Sequence, residues 1–203
     1  RGGEILGLPV YKKMEDIEGP VDLAMIVVPA EIAYNAIEEC AKKEVKFAII
    51  ITSGFSEVGN VAEERKIARF AREHGVRVVG PNVFGIYSAA SSRNATVGPA
   101  DVKSGNVAII TQSGAIGIAM IGKTTVENIG LSAIVSVGNK CDVDEADLLS
   151  YLTEQERTRV ILMYIEGIKN GPRFMEAVKQ ATRVKPVVVI KSGRSERGAV
   201  AAA

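Results

Sequence analysis

The sequence predicts an α/β fold with two tandem parallel-sheet domains, over residues 1–98 and 99–203. Apolar, β-branched segments alternate with amphipathic segments, and right-handed crossovers assemble such a succession into parallel sheets. The composition agrees, because 47% of the 203 residues are hydrophobic while only 5% are aromatic. Residues 85–104 are small and polar without periodicity, and we place the boundary between the domains there.

Each half repeats the same succession of elements. In the first half we predict strands over residues 22–28, 46–52 and 77–79, with helices over 30–44 and 61–74. In the second half we predict strands over residues 107–111, 131–137, 160–165 and 186–191, with helices over 115–128, 145–153 and 173–184. Glycine follows the second helix at Gly75, where a helix C-terminus favours it.

Charge and apolar runs exclude several classes of partner. Lysine and arginine total 25 against 24 acidic residues, a net charge of +1, so we expect neither nucleic acid nor membrane as a partner. No apolar run reaches the length of about 18 residues that suits a membrane span, and no signal peptide opens the chain. Cys40 and Cys141 form no metal-ligand pattern and indicate reduced thiols. We therefore expect a cytoplasmic protein.

Both ends of the sequence look internal to a longer polypeptide. The chain starts without methionine at Arg-Gly-Gly and stops at Ala-Ala-Ala without a helix-ending signal. We therefore expect the chain to be a fragment.

The stretch over residues 105–120 joins a buried strand directly to an apolar helix through Ser113-Gly114. The first N–H groups of a helix have no partner within it, and the helix dipole makes that end partly positive. Gly114 lets a ligand approach the backbone and Ser113 adds a hydroxyl, which favours a phosphate or another anion. An ordinary strand–turn–helix connection is the alternative for this motif taken alone.

Four strands of the second half end in small or polar pairs: Ser113-Gly114, Gly138-Asn139, Glu166-Gly167 and Ser192-Gly193. Ligands of open parallel sheets collect at the carboxyl ends of the strands. Glu166 stands at one of these ends, and a carboxylate beside a phosphate is unfavourable unless a cation lies between them. A protonated or phosphorylated imidazole would supply the donor. A solvated loop acid is the alternative interpretation of Glu166.

The sequence lacks the complete motifs of several other enzyme classes. A serine hydrolase requires glycine where Thr111 stands, and His74 is placed near the end of a charged helix as a surface residue. The glycine pattern of a dinucleotide-binding loop is incomplete, and no Walker-type lysine loop is present, so we predict no intrinsic ATP site.

The acidic cluster Asp142, Asp144, Glu145 and Asp147 precedes a predicted helix. Carboxylates at that position cap a helix and suit its dipole, and we favour capping over a divalent cation. No metal site is predicted.

The chain resembles the NDP-forming acyl-CoA synthetases. The motifs that carry the resemblance are Thr-Gln-Ser-Gly-Ala at 111–115, Ser-Val-Gly-Asn-Lys at 136–140, Tyr-Ile-Glu-Gly at 164–167 and Lys-Ser-Gly-Arg at 191–194. Val-Pro-Ala at 28–30, Ile-Thr-Ser-Gly-Phe at 51–55 and Val-Gly-Pro-Asn at 79–82 resemble the CoA-binding domain of that family. The nearest resemblance is to the α subunit or α-like region of ADP-forming acetyl-CoA synthetases, with succinyl-CoA synthetase α subunits more distant.

The resemblance implies a Rossmann-like CoA-binding domain over residues 1–98, followed by a flavodoxin-like, succinyl-CoA-synthetase-type domain over residues 99–203. The residues that match CoA contacts are Arg1, Pro29, Ile51, Thr52, Ser53 and Gly54, and the glycine-rich CoA loop would precede Arg1. The residues that match the phosphate site are Ser113, Gly114, Ala115, Gly138 and Asn139. Glu166 matches the catalytic carboxylate that orients a histidine ring.

The implied reaction converts acyl-CoA, ADP and phosphate into a small carboxylic acid, CoA and ATP, and the reverse, through an acyl phosphate and a phosphohistidine. ATP or ADP and Mg belong, by the same resemblance, to an ATP-grasp subunit or domain not contained in this chain, and we expect an oligomer. The family histidine falls beyond residue 203. Two alternatives remain: the regulatory ligand-binding region of a protein lysine acetyltransferase, in which that histidine is replaced, and a CoA-binding module without catalysis.

Overall fold

A computed structural model describes residues 2–99 and 101–193. Arg1, Ala100 and residues 194–203 lie outside the described residues, so the predicted CoA contact at Arg1 lies outside them too. Within the two described ranges, no helix combines the length and the hydropathy that crossing a membrane requires.

The first half begins with a short antiparallel hairpin, which is followed in the chain by a three-stranded parallel sheet. The hairpin consists of β1 (Gly3–Ile5) and β2 (Leu8–Val10), and the sheet of β3 (Leu23–Ile26), β4 (Phe47–Ile50) and β5 (Arg77–Val79), in that order. Two amphipathic helices connect the strands, α1 (Ala30–Lys42) and α2 (Val61–Glu73). Their buried faces pack on the sheet in one core that includes Ile37, Ile50 and Phe55.

The second half is built on a six-stranded sheet. Its strands are β6 (Gly85–Ser88), β7 (Arg93–Thr96), β8 (Ser104–Thr111), β9 (Leu131–Ser136), β10 (Val160–Ile165) and β11 (Val187–Lys191), in the order β11-β10-β8-β9-β6-β7. The helices are α3 (Gly114–Val126), α4 (Glu145–Glu154) and α5 (Gly171–Thr182). Strands β8 to β11 are parallel, which confirms the α/β class and brings their carboxyl ends to one edge.

One hairpin departs from the sequence prediction. The sequence predicts no element over residues 85–104, but β6 and β7 pair there, and β6 runs antiparallel to β9. The second sheet is therefore mixed rather than wholly parallel. The last strand of the first sheet ends at Val79, and the first strand of the second sheet begins at Gly85. The domain boundary between residues 98 and 99 stays a prediction.

The two halves share a small apolar interface. Ile49 and Val79 from the first sheet pack with Val83 and Val143 in one buried cluster. The backbone N–H of Val143 also donates to the carbonyl of Val78, at 3.0 Å. These contacts hold the loops that follow the two sets of strands against each other.

Candidate functional site

A groove opens beside the carboxyl ends of β3 and β4. It has a volume of about 520 Å³ and is lined by Pro29, Ala30, Glu31, Ile51, Thr52, Ser53, Gly54, Asn60 and Glu63; we call it the first groove. Five of the six residues predicted to contact CoA therefore line one groove: Pro29, Ile51, Thr52, Ser53 and Gly54. These residues are neighbours because the parallel sheet places successive strand ends on one edge.

Two close contacts shape the loop after β4 at the first groove. The Thr52 hydroxyl donates to the carbonyl of Val28 at 2.6 Å, which ties the end of β4 to the end of β3. Gly54 has a φ of +110°, and a Cβ atom at this position would lie 3.1 Å from the Cβ of Ala30. Only glycine therefore lets the loop after β4 pass this close to the first turn of α1.

A second cleft lies between the loops of the two halves. It has a volume of about 380 Å³, and we call it the strand-tip cleft; its lining residues are Ser56, Glu57, Asn82, Gln112, Gly138, Asn139, Lys140, Glu166, Gly167, Ile168 and Lys169. The structure thus brings Gly138, Asn139 and Glu166 together, as predicted from their strand ends. Ser113, Gly114 and Ala115 are not among the lining residues and follow Gln112 directly in the chain.

Helix α3 begins just after β8, and Glu166 follows β10, the strand that pairs with β8. Strand β8 pairs with β10 so that Thr111 is opposite Tyr164, and the N–H of Gln112 donates to the carbonyl of Tyr164 at 3.0 Å. The ends that lead to Ser113 and to Glu166 are therefore immediate neighbours. The α3 start and the loop that carries Glu166 therefore lie at the same edge of the sheet.

Ser113 is the N-cap of α3. Its hydroxyl accepts a hydrogen bond from the N–H of Ile116 at 3.4 Å, so the side chain serves the helix itself. The N–H groups of Gly114 and Ala115 have no acceptor within the helix, and no described residue elsewhere accepts from them. A Cβ atom at Gly117 would lie 2.4 Å from the ring of Phe84, so this glycine lets the first turn of α3 pack closely on that ring.

A polar network holds the loop that carries Glu166. The Oε1 atom of Gln112 accepts hydrogen bonds from the N–H groups of Glu166 and Gly167, at 2.9 and 3.1 Å. Lys140 donates to the carbonyl of Gly167 at 2.6 Å and to Glu145 at 2.6 Å, and Lys140 and Glu145 are both buried. Neither Gln112 nor Lys140 was predicted from the sequence as a site residue, and a lysine in a Gly-Asn-Lys turn is expected to be solvated.

Glu166 is half-buried, and its carboxylate forms no hydrogen bond or salt bridge with any residue in the ranges 2–99 and 101–193. Burial raises its pKa above the ordinary value of 4.5, and the charges of Lys140 and Lys191 oppose that rise. The carboxylate is therefore an available acceptor for a ligand or another side chain.

A bridge of carboxylates and an amide connects the two clefts. The Asn139 side chain donates to Glu57 at 2.5 Å and to Glu64 at 2.9 Å. Glu57 also accepts from the N–H of Gly54, which borders the first groove. Burial alone would raise the pKa of Glu57, but the hydrogen bonds from Asn139 and from backbone N–H groups lower it below 4.5. The loop from Gly54 to Glu57 thus runs from one cleft to the other.

The acidic cluster before α4 is engaged in structural contacts. Asp144 caps α4 by accepting from the N–H groups of Ala146 and Asp147, and the Asp147 side chain accepts in return from the N–H of Asp144, which confirms the capping interpretation for these two residues. Asp142 pairs with Arg77 at 2.8 Å. Among the described residues, no group of three or more His, Cys, Asp or Glu side chains is arranged to hold a metal ion.

His74 lies on the surface, as predicted. Its ring stacks on Phe70, with 4.0 Å between the ring centroids. Ser192 continues the sheet beyond β11, donating its N–H to the carbonyl of Ile165 at 2.9 Å.

The two halves define a class of protein that joins a CoA-binding domain to a flavodoxin-like ligase domain. The model of the family described as "CoA binding domain" matches residues 1–89, and that of the "Succinyl-CoA ligase like flavodoxin domain" matches residues 104–203. The chain belongs to the NDP-forming acyl-CoA synthetase family, and it is similar to the α subunits of ADP-forming acetate–CoA ligases.

Named relatives and solved structures agree with this assignment. The chain is 51% identical to the acetate–CoA ligase [ADP-forming] I subunit alpha of Pyrococcus furiosus, over 100% of this chain and 45% of that protein. It is 45% identical to the acetate–CoA ligase [ADP-forming] of Methanocaldococcus jannaschii, over 98% of this chain and 28% of that protein.

The structure of the dinucleotide forming acetyl-coenzyme A synthetase 1 of Ca. Korarchaeum cryptofilum, in its apo form, matches with a TM-score of 0.96 and 50% identity, over 98% of this chain and 44% of that one. The chain therefore spans less than half the length of these relatives.

Proposed function

We propose that this chain is the α-type part of an NDP-forming acid–CoA ligase, which interconverts acyl-CoA, ADP and phosphate with a small carboxylic acid, CoA and ATP. The observation that carries the proposal is the adjacency of the α3 start and Glu166, on neighbouring strand ends. A phosphoryl group at the free N–H groups of Gly114 and Ala115 would lie beside a carboxylate with no other partner. The pairing suits a phosphorylated imidazole held between the two.

CoA is the proposed ligand of the first groove. The groove borders the first turn of α1, whose dipole favours the phosphates of CoA, and it leads through the loop at Gly54–Glu57 to the strand-tip cleft. CoA in the first groove would therefore lie beside a loop that also borders the strand-tip cleft. Pro29, Ile51, Thr52, Ser53 and Gly54 are the proposed contacts, together with Arg1.

The proposed chemistry proceeds in three displacements. A phosphate oxygen attacks the thioester carbonyl, the C–S bond breaks, and CoA leaves as the acyl phosphate forms. A histidine nitrogen then attacks phosphorus and the carboxylate of the acid departs. The β-phosphate oxygen of ADP finally attacks the same phosphorus and the P–N bond breaks, giving ATP.

This chain contributes the positioning groups for the middle displacement. The start of α3, with Ser113, Gly114 and Ala115, and the turn at Gly138 and Asn139 are the proposed phosphoryl seat, where the N–H groups of Gly114 and Ala115 and the helix dipole stabilise negative charge. Glu166 accepts a hydrogen bond from one ring nitrogen of the histidine, so that the other nitrogen faces phosphorus. In this proposal the histidine follows residue 203, which makes Glu166 a residue that acts on a group outside this chain.

The partners are proposed from the relatives' names. The Pyrococcus furiosus relative is called a subunit alpha, which supports assembly with a further subunit or domain. We assign the nucleotide and Mg to an ATP-grasp partner of that kind, in an oligomer. Relatives named for acetate and for 4-hydroxybutyrate support a small carboxylic acid as substrate. Free thiols at Cys40 and Cys141 support a cytoplasmic location.

The test uses the complete ligase that contains this chain. Acyl-CoA and labelled phosphate are added without nucleotide, and phosphoenzyme formation is followed by rapid quenching. Glu166→Gln is expected to slow phosphorylation by about 100-fold, the size of effect found when one preorganised polar contact of an active site is removed. The matched control is Glu154→Gln, an exposed carboxylate at the end of α4. Equal rates in Glu166→Gln and the wild type would refute the assignment.

A further inference from the structure

The peptide groups of Glu166 and Gly167 are held entirely by side chains from other strand ends. Gln112 accepts both of their N–H groups. Lys191 donates to the carbonyl of Glu166 at 2.7 Å, and Lys140 donates to the carbonyl of Gly167 at 2.6 Å. A loop residue ordinarily leaves several such groups to water. Here all four backbone polar groups are fixed by three side chains, while the carboxylate between them is left without a partner.

Lys140 is committed to this framework. An ammonium has three N–H donors, and those of Lys140 reach Gly167, Glu145 at 2.6 Å and Gln112 at 3.2 Å. Its side chain is 3% exposed and that of Glu145 is 4% exposed. The charge of Lys140 is thus neutralised in the interior, so that it serves as a fixed donor rather than as a seat for a ligand anion.

The backbone around Lys140 also indicates a constrained placement. Lys140 has a φ of +55°, a left-handed conformation that residues other than glycine adopt infrequently. Two positions earlier, Gly138 has a φ of +51°, and a Cβ atom there would lie 2.2 Å from the carbonyl oxygen of Pro81. The turn after β9 therefore takes an unusual path, and that path directs the lysine into the interior beneath Glu166.

We propose that Gln112 and Lys140 are positioning residues that fix the backbone of Glu166, with the Gln112 side-chain oxygen as the acceptor that sets the direction of the carboxylate. The catalytic consequence rests on the role proposed for Glu166, whereas the structural part does not. Gln112 acts through Glu166 and is not proposed to touch the reacting atoms. Its effect should therefore fall on phosphoryl transfer and not on CoA binding.

The structural part is tested on the 203-residue chain by amide hydrogen exchange. Gln112→Met keeps the length of the side chain and removes the acceptor, so the amides of Glu166 and Gly167 are expected to exchange about tenfold faster, the worth of roughly one hydrogen bond. Gln112→Glu keeps an acceptor oxygen and should exchange as the wild type does. Gln180→Met, on the exposed face of α5, is the matched control.

The outcomes of the exchange experiment are distinct. Acceleration confined to Glu166 and Gly167 supports the proposal. Unchanged exchange in Gln112→Met overturns it, and so does equal acceleration across β8 and β10, because that result means general loosening of the sheet.

The catalytic part is tested on the complete ligase. Gln112→Met should lower kcat for phosphoenzyme formation about tenfold and leave the KM for CoA within about twofold, and Gln112→Glu should restore most of kcat. In Gln112→Glu the added carboxylate near Glu166 should also move the acid limb of the pH–rate profile to higher pH, because a nearby negative charge raises the pKa of Glu166. An unchanged kcat in Gln112→Met overturns the catalytic part. A wild-type ligase that forms no phosphoenzyme refutes the proposed function, and the exchange result then still decides the positioning role.

Discussion

Replacing Lys140 with methionine is the most informative single perturbation of this fold. The substitution keeps the chain length of the side chain and removes only the ammonium. Glu145, 4% exposed, is left with its charge uncompensated, and the carbonyl of Gly167 loses the donor that now reaches it at 2.6 Å. A buried ionised group without a partner is among the few changes that strongly destabilise a protein.

The magnitude follows from the burial of the pair. Removing one partner of a buried ion pair costs about 3–5 kcal/mol, a large part of a typical total stability of about 5–15 kcal/mol. For a chain of this size, each kcal/mol corresponds to roughly 2–4 °C in Tm, so we expect a fall of about 6–20 °C. The double variant Lys140→Met/Glu145→Met leaves no buried charge and should recover most of the loss.

The assay is urea unfolding followed by far-ultraviolet circular dichroism. Lys123→Met is the matched control, because Lys123 also lies 2.6 Å from a carboxylate, Glu127, but with side chains 72% and 49% exposed. That pair should contribute no more than about 0.5 kcal/mol. The reasoning would be refuted by a Lys140→Met cost as small as that of Lys123→Met. A double variant as unstable as the single one would also contradict it.

Three further perturbations test separate parts of the structure. Gly138→Ala places a Cβ atom 2.2 Å from the carbonyl oxygen of Pro81 at a φ of +51°, so we expect a loss of about 2 kcal/mol or more in urea unfolding, and a neutral result would contradict the positive φ. Burial would raise the pKa of Asp147, but the hydrogen bond from Arg173 holds that pKa below 3.8. The contribution of the Asp147 charge to the free energy of unfolding is therefore full above pH 3.8 and is lost as the pH falls through the lowered pKa. Asp147→Asn should cost about 1 kcal/mol at pH 7, with the difference from wild type shrinking as the pH falls below 3.8; a constant difference would exclude the charge as its source. Ser53→Trp, at an exposed position of the first groove, should weaken CoA binding to the complete ligase about tenfold in calorimetry with Tm unchanged, and unaltered binding would place CoA elsewhere.

Local pattern was sufficient to predict the helices and parallel strands. The segment predicted as a helix over residues 61–74 is Val61–Glu73, and the strand predicted over 160–165 is Val160–Ile165. In both elements, the apolar residues recur with the period of the element, because one face of it must be buried in the core. The β6–β7 hairpin was not predicted, because each of its strands has only four residues and its position depends on pairing with β9, more than 40 residues later in the chain.

The site was predictable only where strand ends decide it. Pro29 and Thr52 line one groove because parallel strands end on one edge, and Glu166 lies beside the α3 start for the same reason. Gln112 and Lys140 were missed because their partners lie 54 and 27 residues away, at Glu166 and Gly167. Contacts of that range are created by the fold, and a single sequence carries no local signal for them.

The distribution of unpaired charge at the strand ends supports a functional role for Glu166 independently of any motif. Two lysines lie near its half-buried carboxylate, yet Lys191 donates to the carbonyl of Glu166 itself and Lys140 to that of Gly167. Their charges reach the carboxylate only through space, and burial raises its pKa despite them. Because folding disfavours the charged form, Glu166 lowers stability at neutral pH, and a direct salt bridge would have stabilised the fold instead. The acids before α4, such as Asp142 and Asp144, are paired with arginines. The carboxylate of Glu166 has no such partner although two lysines are close to it, and an acceptor that binds a ligand must be unpaired in this way.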